Sequence, residues 1–256
     1  AAAAALGDRK GAVVALDAKT GAILALYSSP SFDPNALASR DAGEVQDAYA
    51  TLDADPKNPM LNRTISERYA PGSTFKVLTA IALIENGIAN PDTRMDSPVS
   101  TTLPGTNTEV SNIESSTCGD GKPTLTEAFA RSCNTTFVLA SEKLTTQQLT
   151  DVTKRFGFGH EQEIPLTVIP SVFPSDADSA QLAMSSIGQY TVQATPMQMA
   201  QVAQTIANGG QMMSPYLIKQ IVDADNQTIR KTKATEAGRP ISADTASKVT
   251  GMMQAV

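Results

Sequence analysis

The chain is poor in imidazole, in thiols and in long apolar runs. Its 256 residues hold one histidine and two cysteines. A Ser-His-Asp triad or a zinc site would have to use His160, which lies in the Gly-rich stretch Phe156-Gly157-Phe158-Gly159-His160. Histidines in such loops are usually solvated surface residues, so imidazole-based catalysis is disfavoured and a lysine-assisted serine gains weight. Cys118 and Cys133 have no close Cys/His neighbours in sequence. They read equally well as a disulfide or as two inert thiols. No apolar run approaches the roughly 20 residues needed to span a bilayer. Ala1 to Ala5 with Leu6 lacks a cationic lead and is too short for a signal peptide. Because residue 1 is Ala rather than Met, the chain reads as an excerpt, and a missing anchor excludes nothing. Lysines and arginines are scattered singly, and the net charge is -6 with a pI of about 4.9. Nucleic acid is therefore a poor partner. With 41% hydrophobic and 18% charged residues, the composition is that of an ordered globular protein. No repeat, linker or low-complexity block appears, which predicts one domain over 1–256.

The most informative segment is Ser73-Thr74-Phe75-Lys76, entered through Tyr69-Ala70-Pro71-Gly72. Residues three apart share a helix face, so amine and hydroxyl meet without further folding. The apolar run from Phe75 to Ile84 predicts a buried helix, ending near Asn86 with Gly87 as its cap. A serine at a helix start also has free backbone N–H groups beside it. Taken alone, Ser-x-x-Lys is a weak pattern. Two features strengthen it. A lysine placed in an apolar helix costs several kcal/mol, about what a lone buried ion pays after relaxation. And Ser132-Cys133-Asn134 follows in a gap between two short predicted helices, a capping-box helix from Thr124 through Arg131 and another from Thr135 to Leu144.

Elsewhere, Gly11 to Asp17 and Ala22 to Tyr27 predict a hairpin turned by Ala18-Lys19-Thr20-Gly21. A weak polar helix is expected over 43–53, an irregular segment over 89–122, and helices over 147–156, from Thr195-Pro196 to Ala207, and from Ser242 onward. Leu217 to Val222 alternates and predicts a half-buried strand.

Ser-x-x-Lys with Ser-x-Asn is the pairing of penicillin-binding proteins and β-lactamases. The chain resembles the transpeptidase domain of a class B penicillin-binding protein of the actinobacterial type. The likeness runs through Gly11 to Asp17, Ser31-Phe32-Asp33-Pro34-Asn35, Asn62-Arg63, Pro71 to Lys76, Ser132 to Asn134, Gly188-Gln189, Thr195 to Ala200 and Asn208-Gly209-Gly210. It implies an α/β fold of the β-lactamase and transpeptidase type, an antiparallel sheet with helices on both faces.

By the same resemblance Ser73 attacks the penultimate D-Ala carbonyl of a peptidoglycan stem peptide, Lys76 takes its proton, Ser132 passes a proton to the leaving amine, and Asn134 holds Lys76 and the substrate amide. β-Lactams would acylate the same serine. A glycosyltransferase partner in cell-wall elongation or division, a site on the extracytoplasmic face of a bacterial membrane, and no metal or organic cofactor are implied as well. The alternatives are a β-lactamase or β-lactam sensor on the same scaffold, or a non-catalytic scaffold protein. Lys19-Thr20-Gly21 matches the family's third motif in letters, but it precedes the serine motif and reads as ordinary turn chemistry. The resemblance places the third motif, with the C-terminal strands, beyond Val256, so the 256-residue piece is expected to be inactive in isolation.

Overall fold

The helix Lys76–Glu85 is apolar on every side and is buried accordingly. In a computed structural model of the chain its residues Lys76 to Leu83 are all buried. The structure describes residues 1–256, except for the side chains of residues 114 and 163. Helices Leu125–Ala130, Asn134–Ser141, Thr146–Arg155 and Ala243–Gln254 pack around the buried one. Leu78, Ile81 and Leu83 are fully enclosed, and each such side chain contributes about 1.5–3 kcal/mol. The far end is pinned by Arg155 Nη2 on Glu85 Oε2 at 2.5 Å and closed by Gly87 at φ +68°.

The antiparallel hairpin Gly11–Leu16 and Ile23–Ser29 stands beside this helical body. Val14, Leu16, Ile23 and Leu26 form its packed face, against Ile65, Ile164, Val168 and Met197. The helix Pro196–Ala207, which carries Met197, links the hairpin to the main core. The Lys19-Thr20-Gly21 bend is held by Asp17, whose Oδ1 accepts from Lys19 N, Thr20 N and Thr20 Oγ1. Those Thr20 bonds lower the Asp17 carboxyl below its ordinary range, as expected of a turn carboxylate.

The predicted caps appear where the sequence placed them: Thr124 with Glu127 as a capping box, Thr195 ahead of Pro196, and Ser242 on Thr245 N. Two expectations are corrected and one element is added. The irregular segment 89–122 contains a short hairpin, Ser100–Thr102 with Glu109–Ser111. The 217–222 strand is shorter, Gln220–Val222, and it is exposed along its whole length together with its partner Thr228–Lys231. Alternation in sequence shows that the two faces of a strand differ, not that anything covers one of them. Finally, a helix over Ser179–Ser186 was not anticipated, although Asp178 and Gln181 form a capping box that signals it.

Candidate active site

Ser73 is not inside the α-helix but in a 3-10 turn, Gly72–Phe75, that leads into it. Residues three apart eclipse in such a turn, which stacks Ser73 over Lys76; Ser73, at the open end, is exposed, while Lys76 is 1% exposed. The turn is clamped on its outer side. Tyr69 and Ala194 exchange both backbone bonds at 2.9 Å, and Gly72 N donates to Gly188 O at 3.0 Å. Phe75 stacks on Phe173 with ring centroids 5.8 Å apart and meets Phe158 edge-on. Thr79 Oγ1 donates to Ser186 O at 2.7 Å.

The helix Leu125–Ala130 ends at Arg131, and Asn134–Ser141 begins three residues later. Between them Ser132 takes φ +58°, a left-handed conformation that costs a non-glycine residue about 1–3 kcal/mol. The reversal turns Ser132 and Asn134 toward Lys76 and Cys133 away from it. Cys133, 1% exposed, is joined to Cys118, so of the two readings of the cysteines the structure shows the disulfide. In the chain-entropy account, closing a loop of that length, 15 residues, stabilises the folded chain by about 3 kcal/mol.

All four predicted residues converge. Lys76 Nζ lies 2.7 Å from Ser132 O, 2.8 Å from Asn134 Oδ1, 3.1 Å from Ser132 Oγ and 3.3 Å from Ser73 Oγ. Ser132 Oγ donates to Ser73 Oγ at 2.8 Å, and Asn134 Nδ2 donates to Ser111 O at 3.0 Å. Burial lowers the Lys76 amine from 10.5 to about 8, because desolvation disfavours the ammonium. About one amine in ten is then neutral at pH 7. A neutral amine has two N–H donors and one lone pair. The Ser132 carbonyl and Asn134 Oδ1 can only accept, and they make the two shortest contacts, so they claim the two N–H groups. The lone pair is left facing the hydroxyls of Ser73 and Ser132. Ser73 can then donate to Lys76 while Ser132 donates to Ser73, a closed arrangement suited to moving a proton off an attacking hydroxyl.

An apolar cavity of about 520 Å³ opens beside Ser73 and Ser132, walled by Val77, Phe129, Val202 and Ile206 among others. His160 and Lys19 are both exposed, and Lys19 lies on the bend of its own hairpin. Among the described residues no group of His, Cys, Asp and Glu has a metal-ligating arrangement, and no helix is long and apolar enough to cross a membrane. The sequence reading missed the clamp by Gly188. A Cβ there would lie 2.2 Å from Gly72 O, a requirement that only the three-dimensional packing reveals.

Residues 11–256 match the family described as penicillin binding protein transpeptidase domain. The peptidoglycan D,D-transpeptidase PbpA of Mycolicibacterium smegmatis is 44% identical over 252 residues, covering 97% of this chain and 51% of that protein. PbpA of Mycobacterium tuberculosis is 42% identical over 250 residues, covering 96% of this chain and 50% of that protein. The chain thus spans about half the length of these curated relatives. The imipenem acyl-enzyme complex of penicillin-binding protein A from M. tuberculosis superposes with a TM-score of 0.91 at 41% identity, over 96% of this chain and 57% of that one.

Proposed function

Because this chain belongs to the family of penicillin-binding protein transpeptidase domains, we propose that it carries the nucleophile side of a serine D,D-transpeptidase site, with residues 1–256 forming part of one transpeptidase domain. The observation that carries the reading is the buried Lys76 amine, held by two carbonyl oxygens so that its lone pair faces Ser73 and Ser132.

In the proposed reaction Ser73 Oγ bonds to the penultimate D-Ala carbonyl carbon of a stem peptide, and its proton passes to Lys76. Ser73 lies in the first turn of its helical segment, where backbone N–H groups lack an upstream helical acceptor; with Gly72 N bonded to Gly188 O, the N–H of Ser73 itself is the donor offered to the developing oxyanion. As the C–N bond breaks, the terminal D-Ala amine takes a proton from Ser132, which is replenished from Lys76. An amine of a neighbouring stem peptide then attacks the acyl-enzyme ester. It loses its proton to Lys76 and returns Ser73 Oγ protonated, leaving an amide cross-link. Asn134 keeps Lys76 oriented through Oδ1, and the Nδ2 proton not given to Ser111 O is the one it offers the substrate. β-Lactams would acylate Ser73 by the first half of this path. Peptidoglycan lies outside the cytoplasmic membrane, so this reading places the reaction on the extracytoplasmic side, where the Cys118–Cys133 disulfide persists. A glycosyltransferase that extends the glycan strands is the partner such a cross-linker requires.

The test is covalent labelling of the intact protein with a fluorescent penicillin. A mass adduct on Ser73 that persists for minutes to hours, and is absent in Ser73→Ala, is the expected result. Rapid turnover of penicillin would instead indicate a β-lactamase, and labelling that survives Ser73→Ala would contradict the assignment.

A further inference from the structure

The irregular segment between residues 97 and 122 takes no part in the chemistry above, yet one of its side chains is bonded on every side. Asn112 is 7% exposed. Its Nδ2 donates to Pro98 O at 3.0 Å, to Ser116 O at 3.1 Å and, more weakly, to Ser97 Oγ at 3.4 Å. Its Oδ1 accepts from Thr135 N at 3.0 Å and from Thr135 Oγ1 at 3.1 Å.

The Thr135 amide is the significant partner. The helix Asn134–Ser141 starts at Cys133, which makes no side-chain cap bond because its sulfur is committed to Cys118. Helix starts leave their first amides without acceptors, and a capping side chain ordinarily serves the second or third of them. Thr135 is the second, it is fully buried, and water cannot reach it. Asn112, 23 positions earlier, supplies the acceptor that Cys133 cannot. The preceding residue completes the hold, since Ser111 O receives Asn134 Nδ2 at 3.0 Å. That contact decides which way the Asn134 amide faces. With Nδ2 on a carbonyl, Oδ1 must point to Lys76. Flipped, the amide would present N–H groups to the amine and remove one of the two acceptors that direct its lone pair.

We propose that Asn112 is a positioning residue for the Lys76 site: by capping the Asn134–Ser141 helix from a distance, it sets the Ser111 carbonyl against the Asn134 amide and keeps Asn134 Oδ1 on Lys76. The inference rests on the transpeptidase reading, because acylation is its readout. It goes beyond that reading by assigning a role to a residue outside the Ser-x-x-Lys and Ser-x-Asn motifs.

A double-mutant cycle on the intact protein tests it, using the second-order rate of acylation by a fluorescent penicillin. Asn112→Ala is expected to lower that rate about 10–100-fold, the scale on which a misplaced catalytic group loses rate. Placed in an Asn134→Ala background, the same change is expected to cost less than about 3-fold, because residues that act as a unit are strongly non-additive. Asn112→Asp keeps the acceptor for Thr135 N while losing the donors to Pro98 and Ser116. It is expected to recover most of the acylation rate while lowering the melting temperature. Equal fold-losses in the two backgrounds, or an aspartate variant no faster than alanine, would overturn the proposal. Should the alanine variant not fold, Asn112→Ser, whose shorter side chain cannot reach Thr135 N, replaces it in the cycle: rate losses that multiply with those of Asn134→Ala overturn the proposal, and non-additive losses support it. Absence of acylation in the unmutated protein would instead strike the transpeptidase reading itself.

Discussion

Replacing Lys76 by methionine is expected to lower the acylation rate by about 10²–10⁴-fold, the range contributed by a positioned proton-transfer group, while leaving stability near that of the unmutated protein. Two terms nearly cancel. Burial shifts the amine from 10.5 to about 8, which corresponds to about 3 kcal/mol of penalty on the charged form at neutral pH. Methionine is free of that cost. Against this, the half-buried Ser132 carbonyl and Asn134 Oδ1 lose their donor, and an acceptor left unpaired costs up to about 1–3 kcal/mol when fully buried. The balance is pH-dependent with a definite sign. Between pH 8 and 10.5 the unfolded lysine binds more protons than the folded one, so the stability of the unmutated protein rises with pH in that window relative to the methionine variant. Chemical denaturation at pH 7 and at pH 10 checks this. A Lys76→Met protein that acylates within a few-fold of the original would show that the amine is a packed bystander.

Gly188→Ala is expected to be the most damaging of the small substitutions. Gly188 sits at φ +70°, and an added Cβ would come within 2.2 Å of Gly72 O, 2.7 Å of Phe75 Cβ and 2.8 Å of Gly72 N. Two of these three neighbours are backbone, so no side-chain rotation relieves the overlap. The left-handed conformation costs alanine about 1–2 kcal/mol, and overpacking adds about 1–3 kcal/mol, for a loss of about 2–5 kcal/mol in urea unfolding. Relief can come only by moving the Gly72–Phe75 turn, and Ser73 moves with it. Acylation should therefore fall about 100-fold, as for a displacement near 1 Å, even in molecules that remain folded. A variant within about 1 kcal/mol of the original with unchanged acylation would mean that the Gly72–Gly188 contact is not what fixes the nucleophile.

What the sequence made legible follows the range of the interactions involved. Ser73 and Lys76 are three residues apart, so helical geometry alone brings them together. The Thr124–Glu127 box and the Thr195-Pro196 start are equally local. Ser132 and Asn134 lie 56 and 58 positions from Lys76, and only the motif resemblance connected them with it. The 217–222 strand had the right alternation but no cover, because periodicity carries no information about what packs on a face. Gly188 and Asn112 were illegible as site elements for the same physical reason. Their roles come from a backbone approach and a helix cap made across 116 and 23 positions, respectively, with no local pattern to announce either.

The measurement that bears most directly on the proton-transfer account is the pH dependence of penicillin acylation in the intact protein. Acylation through a neutral Lys76 requires the rate constant to climb with pH and level off above an apparent pKa of about 8, with that step missing in Lys76→Met. A rate that is level from pH 6 to 10, or that climbs only near the 10.5 of an unburied lysine, would contradict it.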